Sequence, residues 1–297
     1  MSAEFRSKLK RQLEILGLCL SQNYKRYIHM EDLAELFGVE LLTIKRDLND
    51  LRSEGIDIHS VHHKGVVVSC PLSDAKLRML IQQYAAVSFY ETFIEKSTNL
   101  MVKHLGEKAL SNIVALQVCI EKHRGAVIDY EKEKLGPGRH GAEFGREIFP
   151  LRIFRTDNYW RVLAMNEGKL KQFHLNKIIE VRESPRKFSP PSENEIDEIF
   201  KYSWRSWMAK DRFPVKLEMD GIWAERIKTN MLMEEEKITE VKKSGGKIIY
   251  ETVVNSLDEV AGWIVSRGKG VKVLEPEELK EKVISLAKET LKNYKIK

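Results

Sequence analysis

The sequence predicts an α+β chain of several domains, and three observations carry that prediction. Apolar residues recur with helical spacing up to about residue 125, and from Ala126 they alternate with strand period. Five alternating runs then crowd into about 60 residues. A last stretch reads strand, helix, two strands, helix, strand. A length of 297 residues also exceeds what one core usually holds. Composition fits a soluble globular chain, with 42% apolar and 32% charged residues.

The clearest element is EDLAELFGVELLTIKRDLNDLRSEG, residues 31–55. Leu33, Ala34 and Phe37 mark the buried side of one short helix. Gly38 supplies a turn where φ > 0 costs nothing. Ile44, Leu48 and Leu51 bury one side of a second helix. Its other side carries Thr43, Lys45, Arg46, Asn49 and Arg52, all donors or cations. Two short helices crossing at glycine, the second polar and basic outside, make a helix-turn-helix that fits a major groove. An ordinary helical hairpin shares the spacing but not that outer face. The next run, Ile56–Val68, is apolar on both sides of HHKG and reads as a β-hairpin wing, with His63 and Lys64 at its tip.

The remaining elements follow in order. Residues 1–70 form the winged domain, opened by an amphipathic helix at about Phe5–Ser21. Pro71 breaks the chain and Ser73–Asp74 cap a helical connector over 71–125, which is expected to pack against a second subunit. AVIDYEKE, EIFPLRIFRT, NYWRVLAM, KLKQFHL and KIIEVRES are the five strands, and such spacing over 126–191 predicts a small barrel. Pro185, Pro190 and Pro191 close it. A linker helix at about Asn194–Met208, within 192–212, carries Trp204 and Trp207. Residues 213–297 run βαββαβ plus a terminal helix opened at Pro276, a ferredoxin-like order.

Charge is uneven. The net +6 leaves residues 1–70 neutral, while 126–190 carry 13 basic against 9 acidic side chains. The basic face of the winged domain is therefore local: Lys8, Lys10, Arg11, Lys45, Arg46, Arg52 and Lys64. An excess in the middle suits an anionic ligand, and a solvated surface explains it equally well. Cys19, Cys70 and Cys119 lie far apart, which argues for a reducing cytoplasm and against disulfide or zinc scaffolds. No apolar run approaches a membrane span, and the N-terminus has no signal core.

Four segments together resemble the WYL-domain family of bacterial transcriptional regulators. TIKRDLNDLRSEG is similar to the recognition helix of its deoxyribose-repressor-type winged helices. NYWRVLAM and QFHLNKI stand where the family has its W-Y-L-x-A strand and F-R-L-D-R-I segment. SRGKGVKVLEPEELKEKV is similar to the signature of its C-terminal extension. The resemblance implies a winged helix, a helical connector, a five-stranded Sm/SH3-like β-barrel that senses nucleic-acid or nucleotide-like ligands, and a ferredoxin-like extension. This chain departs at Arg161 and Val162, which replace Tyr and Leu. His174 and Lys177 stand at two arginines, Asn176 at an Asp, and Glu40 at the usual Ser cap.

Strand parity adds an independent reading. Trp160, Val162 and Ala164 share one face, as do Phe173 and Leu175, and these fill a core. Arg161 and His174 point the other way. With Lys171, Lys177, Arg152 and Tyr130 they are expected to form a cationic surface beside an aromatic. Solvated strand residues would show the same pattern.

Other motifs are weaker. Gly136–Gly141 matches G-x-G-x-x-G but has strands on both sides, so a hairpin loop fits better than a dinucleotide turn. His59, His62 and His63 lack a fourth ligand, and Glu234–Glu236 reads as a solvated turn. No catalytic motif has a supporting context. The sequence-level expectation is therefore a cytoplasmic, homodimeric, non-enzymatic regulator without cofactor or metal. Its partners are an operator in double-stranded DNA and a nucleic-acid or nucleotide-like effector, with no membrane. A biotin-ligase-like fusion and an RNA-binding adaptor are the alternatives.

Overall fold

The computed structural model describes residues 3–20, 28–89, 95–132, 141–156, 159–204, 209, 211–229, 232–241 and 246–294. The chain divides into two compact units, Met1–Pro190 and Pro191–Lys297.

In the first unit, α1 (Ala3–Leu20) buries Leu13 and Leu16. Next come α2 (Met30–Phe37) and α3 (Leu41–Ser53), separated by Gly38 at φ 62°. The left-handed glycine returns its N–H to Glu35 (3.2 Å), and Val39 N–H reaches the Ala34 carbonyl (3.0 Å). The hairpin β1 (Ile58–Val61) and β2 (Gly65–Val68) is the expected wing, tied down where Val66 N–H meets the Ile28 carbonyl at 2.8 Å. Helices α4 (Asp74–Ser88), α5 (Glu95–Leu105) and α6 (Lys108–Glu121) fill the expected connector, and Ser73 caps α4 as read.

The inner helix of the connector is α6. Helix α6 does not face outward: Leu110, Ile113, Val114 and Leu116 are buried, and Asn112 donates to the Ile178 carbonyl at 2.7 Å. One apolar core runs from Leu13 through α6 to Val181. The breaks read at residues 70 and 125 therefore separate elements, not cores. Helices α1 and α6 approach closely because Gly17 has no side chain; a Cβ there would sit 2.6 Å from Val114 Cγ2.

All five central strands form: β3 (Arg124–Lys132), β4 (Gly141–Thr156), β5 (Tyr159–Asn166), β6 (Lys169–His174) and β7 (Ile178–Lys187). Their order is β6-β5-β4-β3-β7, antiparallel throughout. Pro185 does not close the unit but lies inside β7, an edge strand that tolerates it. Of the glycine-rich loop, residues 136–140 lie outside the described residues and Gly141 opens β4. The sheet is strongly curled. In a flat sheet β3 and β6 would stand about 14 Å apart, yet Tyr130 packs edge-on against Phe173 at 5.3 Å. His174 N–H also donates to the Tyr130 hydroxyl at 3.3 Å.

The second unit begins with α7 (Glu193–Lys201), capped reciprocally by Ser192 and Glu195. It is shorter than expected, ending before the buried Trp204; Trp207 lies outside the described residues. Strands β8 (Phe213–Met219), β9 (Glu236–Glu240), β10 (Ile248–Val254) and β11 (Val271–Glu275) alternate with α8 (Gly221–Thr229) and α9 (Leu257–Arg267) as read, and α10 (Glu277–Asn293) follows. The sheet order is β11-β8-β10-β9, antiparallel. Val215, Leu217, Met219, Ile248, Tyr250 and Val254 form one core with Val260, Ala261 and Ile264 of α9. Lys216 and Glu251 pair at 3.3 Å and Lys247 and Glu218 at 2.9 Å, on residues of opposite parity to that core. The glutamate run is not merely solvated. Glu236 accepts from Leu232 N–H and Met233 N–H (both 3.1 Å) and from the Tyr250 hydroxyl (2.8 Å).

Candidate nucleic-acid interface

Helix α3 buries Ile44, Leu48 and Leu51 and turns Lys45, Arg46, Asn49 and Arg52 outward. Thr43 is half-buried at the flank of that face. Its start has no side-chain cap, since Glu40 bonds no helix N–H with its carboxylate. What holds α3 in place is Asp47, a buried carboxylate on its inner side. Arg11 of α1 reaches it at 2.6 and 3.3 Å, and Gln12 donates to it at 3.1 Å. A buried acid with three donors fixes the rotation of the helix about its axis, and so fixes which residues face out.

The structure sorts the predicted cations. Lys45 and Arg46 are exposed and make no hydrogen bond or ion pair among the described residues. Lys64 and His63 sit exposed at the wing tip, His63 with φ 63° and its ring 3.8 Å from that of His62. Arg52 is already engaged: it donates to the Ile58 carbonyl at 3.2 Å and to Asn49 Oδ1, tying α3 to the wing. Lys8, Lys10 and Arg11 drop out of the basic face. They pair with Asp50 (2.7 Å), Glu121 (2.6 Å) and Asp47. His59 lies 3.0 Å from Ser69 Oγ and 3.4 Å from Asp57, which explains it without a metal. Sequence reasoning missed Leu42, an exposed apolar residue on the outer face of α3; its period, opposite Ile44, was the available signal.

The central sheet places the second candidate group less simply. Arg161 and His174 are cross-strand partners as parity requires, and Arg161 donates to Gln172 Oε1 at 3.0 Å. Lys171 does not join them. It pairs across from Ala164, on the core side of the sheet, and its ammonium goes to Asn166 (2.5 Å) and Glu167 (3.1 Å). Tyr130 is also on the inner side, against Phe173. The aromatic beside the pair is Tyr159, 5.4 Å from the His174 ring, and its parity with Arg161 made it legible. Arg152 shares the outer parity by pairing with Leu163, and Lys177 lies in the short 3-10 turn Leu175–Lys177. Leu163 and Phe154, on that same outer side, are buried. The cations therefore border an apolar patch; they do not line an open strand surface.

Two short helices crossing at Gly38, the second with an exposed polar and basic face, followed by a two-stranded wing, are the geometry of a winged helix-turn-helix. Residues 11–70 match the model of the DeoR-like helix-turn-helix domain, and residues 211–291 that of the WCX domain, the WYL-associated extension. These two matches bear out the resemblance to WYL-domain regulators: the chain carries a helix-turn-helix of the DeoR-like type and the extension associated with WYL domains. No curated protein matches it. Among solved structures, it is similar to proteasome accessory factor B/C (PafBC) of Arthrobacter aurescens at 16% identity and a TM-score of 0.30. That match covers 97% of this chain and 49% of the other, so the chain spans about half of that protein's length. A CRISPR Cas-related protein is similar at 11% identity and a TM-score of 0.37, covering 99% and 87%. Among the described residues, no helix is long and apolar enough to cross a membrane.

Proposed function

We propose that the chain binds an operator as a homodimer, with α3 of each copy in successive major grooves. Thr43, Lys45, Arg46 and Asn49 face the bases, while His63 and Lys64 meet the flanking backbone. Arg52 serves mainly to brace the wing. The observation that carries this reading is the pair Lys45 and Arg46, exposed and unspent on a helix whose rotation Asp47 fixes. Bound DNA selected by the full chain from a random pool should converge on an inverted repeat. Its half-sites should lie about 34 Å apart or a multiple of that. Recovery of pools with no shared sequence would overturn it.

The same proposal gives the central sheet, curled as an Sm-like barrel, the role of sensor, and the second unit a ferredoxin-like fold. The β3–β6 contact supports the barrel and the β11-β8-β10-β9 order supports the second. Arg161, His174, Arg152, Lys177 and Tyr159 are the side chains that would meet a nucleic-acid or nucleotide-like effector, through guanidinium forks and ring stacking. Fluorescence anisotropy of a labelled single-stranded oligonucleotide and of a nucleotide, at low salt, tests it. Binding of neither would remove the sensor role.

A further inference from the structure

Leu42 is 51% exposed in the second position of α3, about 200° around the helix from the buried Ile44. A single exposed leucine on a protein surface ordinarily needs no explanation. This one stands at the N-terminal end of a face that is otherwise polar. Leu42, Lys45, Arg46 and Asn49 follow at i, i+3, i+4 and i+7, one continuous exposed stripe. It lies in the N-terminal turn, the part of such a helix that reaches base edges. Every base pair offers polar atoms in the major groove, and only thymine adds a methyl group there. An exposed isobutyl group cannot hydrogen-bond a base edge or a phosphate, so the chemistry it can read is that methyl.

We infer that Leu42 reads the C5-methyl of one thymine in each half-site. The inference rests on α3 being the recognition helix. Leu42 and Arg46 lie four residues apart, about 6 Å along the axis. With bases 3.4 Å apart along a strand, the thymine falls within about two base pairs of the base that Arg46 meets. The contact buries about one methyl group on each side. It therefore acts on discrimination more than on overall affinity.

The test takes the selected duplex and replaces each thymine of a half-site by uracil, one at a time, which deletes the methyl and nothing else. Wild type should lose about fourfold affinity at one position, the factor that burying one methyl-sized group carries. Leu42→Ala should bind the thymine and uracil duplexes equally, with the affinity that wild type shows for uracil. The exposed position lets this variant keep its fold, checked by an unchanged melting temperature. Indifference of wild type to every replacement overturns the inference, as does a penalty that persists in Leu42→Ala. Failure to select any duplex overturns the recognition-helix reading itself and takes this inference with it.

Discussion

At the scale of single residues, Lys45 and Arg46 are exposed cations of α3 with no ion pair among the described residues, whereas Lys8, Lys10 and Arg11 are each held by an acid. The spacing of Ile44, Leu48 and Leu51 correctly turned Lys45 and Arg46 outward. Arg46→Ala should weaken operator binding by roughly 1–3 kcal/mol if the guanidinium forks to a guanine. If it meets only phosphate, the loss should be equal on all sequences and the salt dependence shallower. Unchanged operator affinity in the Lys45→Ala, Arg46→Ala double variant would count against the whole interface. The misplaced cations show what spacing does not carry. Lys10 and Arg11 are spent on Glu121 and Asp47, acids 111 and 36 positions away, and only the packing of α1 on α6 and α3 brings them together. Lys171 is different: its parity with Phe173 already placed it on the core side.

That distinction separates packing from recognition in the sheet. Trp160 is 2% exposed in the core and Arg161, its neighbour, stands on the opposite face. Trp160→Ala should destabilise the first unit by about 3–5 kcal/mol, because it opens a large cavity. Arg161→Ala should leave folding and effector-free operator affinity nearly intact, yet abolish the response to a nucleic-acid or nucleotide effector. Chemical denaturation with paired operator titrations measures both. A wild-type response in Arg161→Ala rules out its part in sensing.

At the scale of elements, nearly every strand and helix was legible, because local period and turn residues specify them. What could not be read was which helix lies inside. The pattern of α6 is apolar on several sides, as suits a helix buried between α1 and the sheet, and a connector facing a second subunit would look the same. Gly17 tests the observed arrangement. In a solvent-facing turn of α1, Gly17→Ala would stabilise the helix by up to about 1 kcal/mol. Against Val114, whose Cγ2 would lie 2.6 Å from the new Cβ, it should destabilise by about 1–3 kcal/mol. The sign of the change in urea midpoint decides between the two.

At the scale of the whole molecule, one buried carboxylate ties the helices of the first unit together. Glu14 of α1 accepts from the Tyr84 hydroxyl of α4 at 3.0 Å, and Lys10 lies 3.7 Å from it while pairing with Glu121 of α6. Burial pushes its carboxyl up to about 7, against the pull of Lys10 and Tyr84, and Glu121 adds to the push. In the unfolded chain the group ionises near 4.5. Between those values the folded state holds a proton that the unfolded state has lost, so stability falls as pH rises through the window and levels off above about 7. The shift corresponds to about 3 kcal/mol. Because the chain divides into two units, calorimetry should resolve two transitions. Only that of Met1–Pro190 should drop through this group between pH 5 and pH 8, by on the order of 5–10 °C. Glu14→Gln keeps an acceptor for Tyr84 and has no charge to bury, so it should remove most of that drop and raise stability at pH 8. An equally steep pH dependence in Glu14→Gln would show that another group sets it.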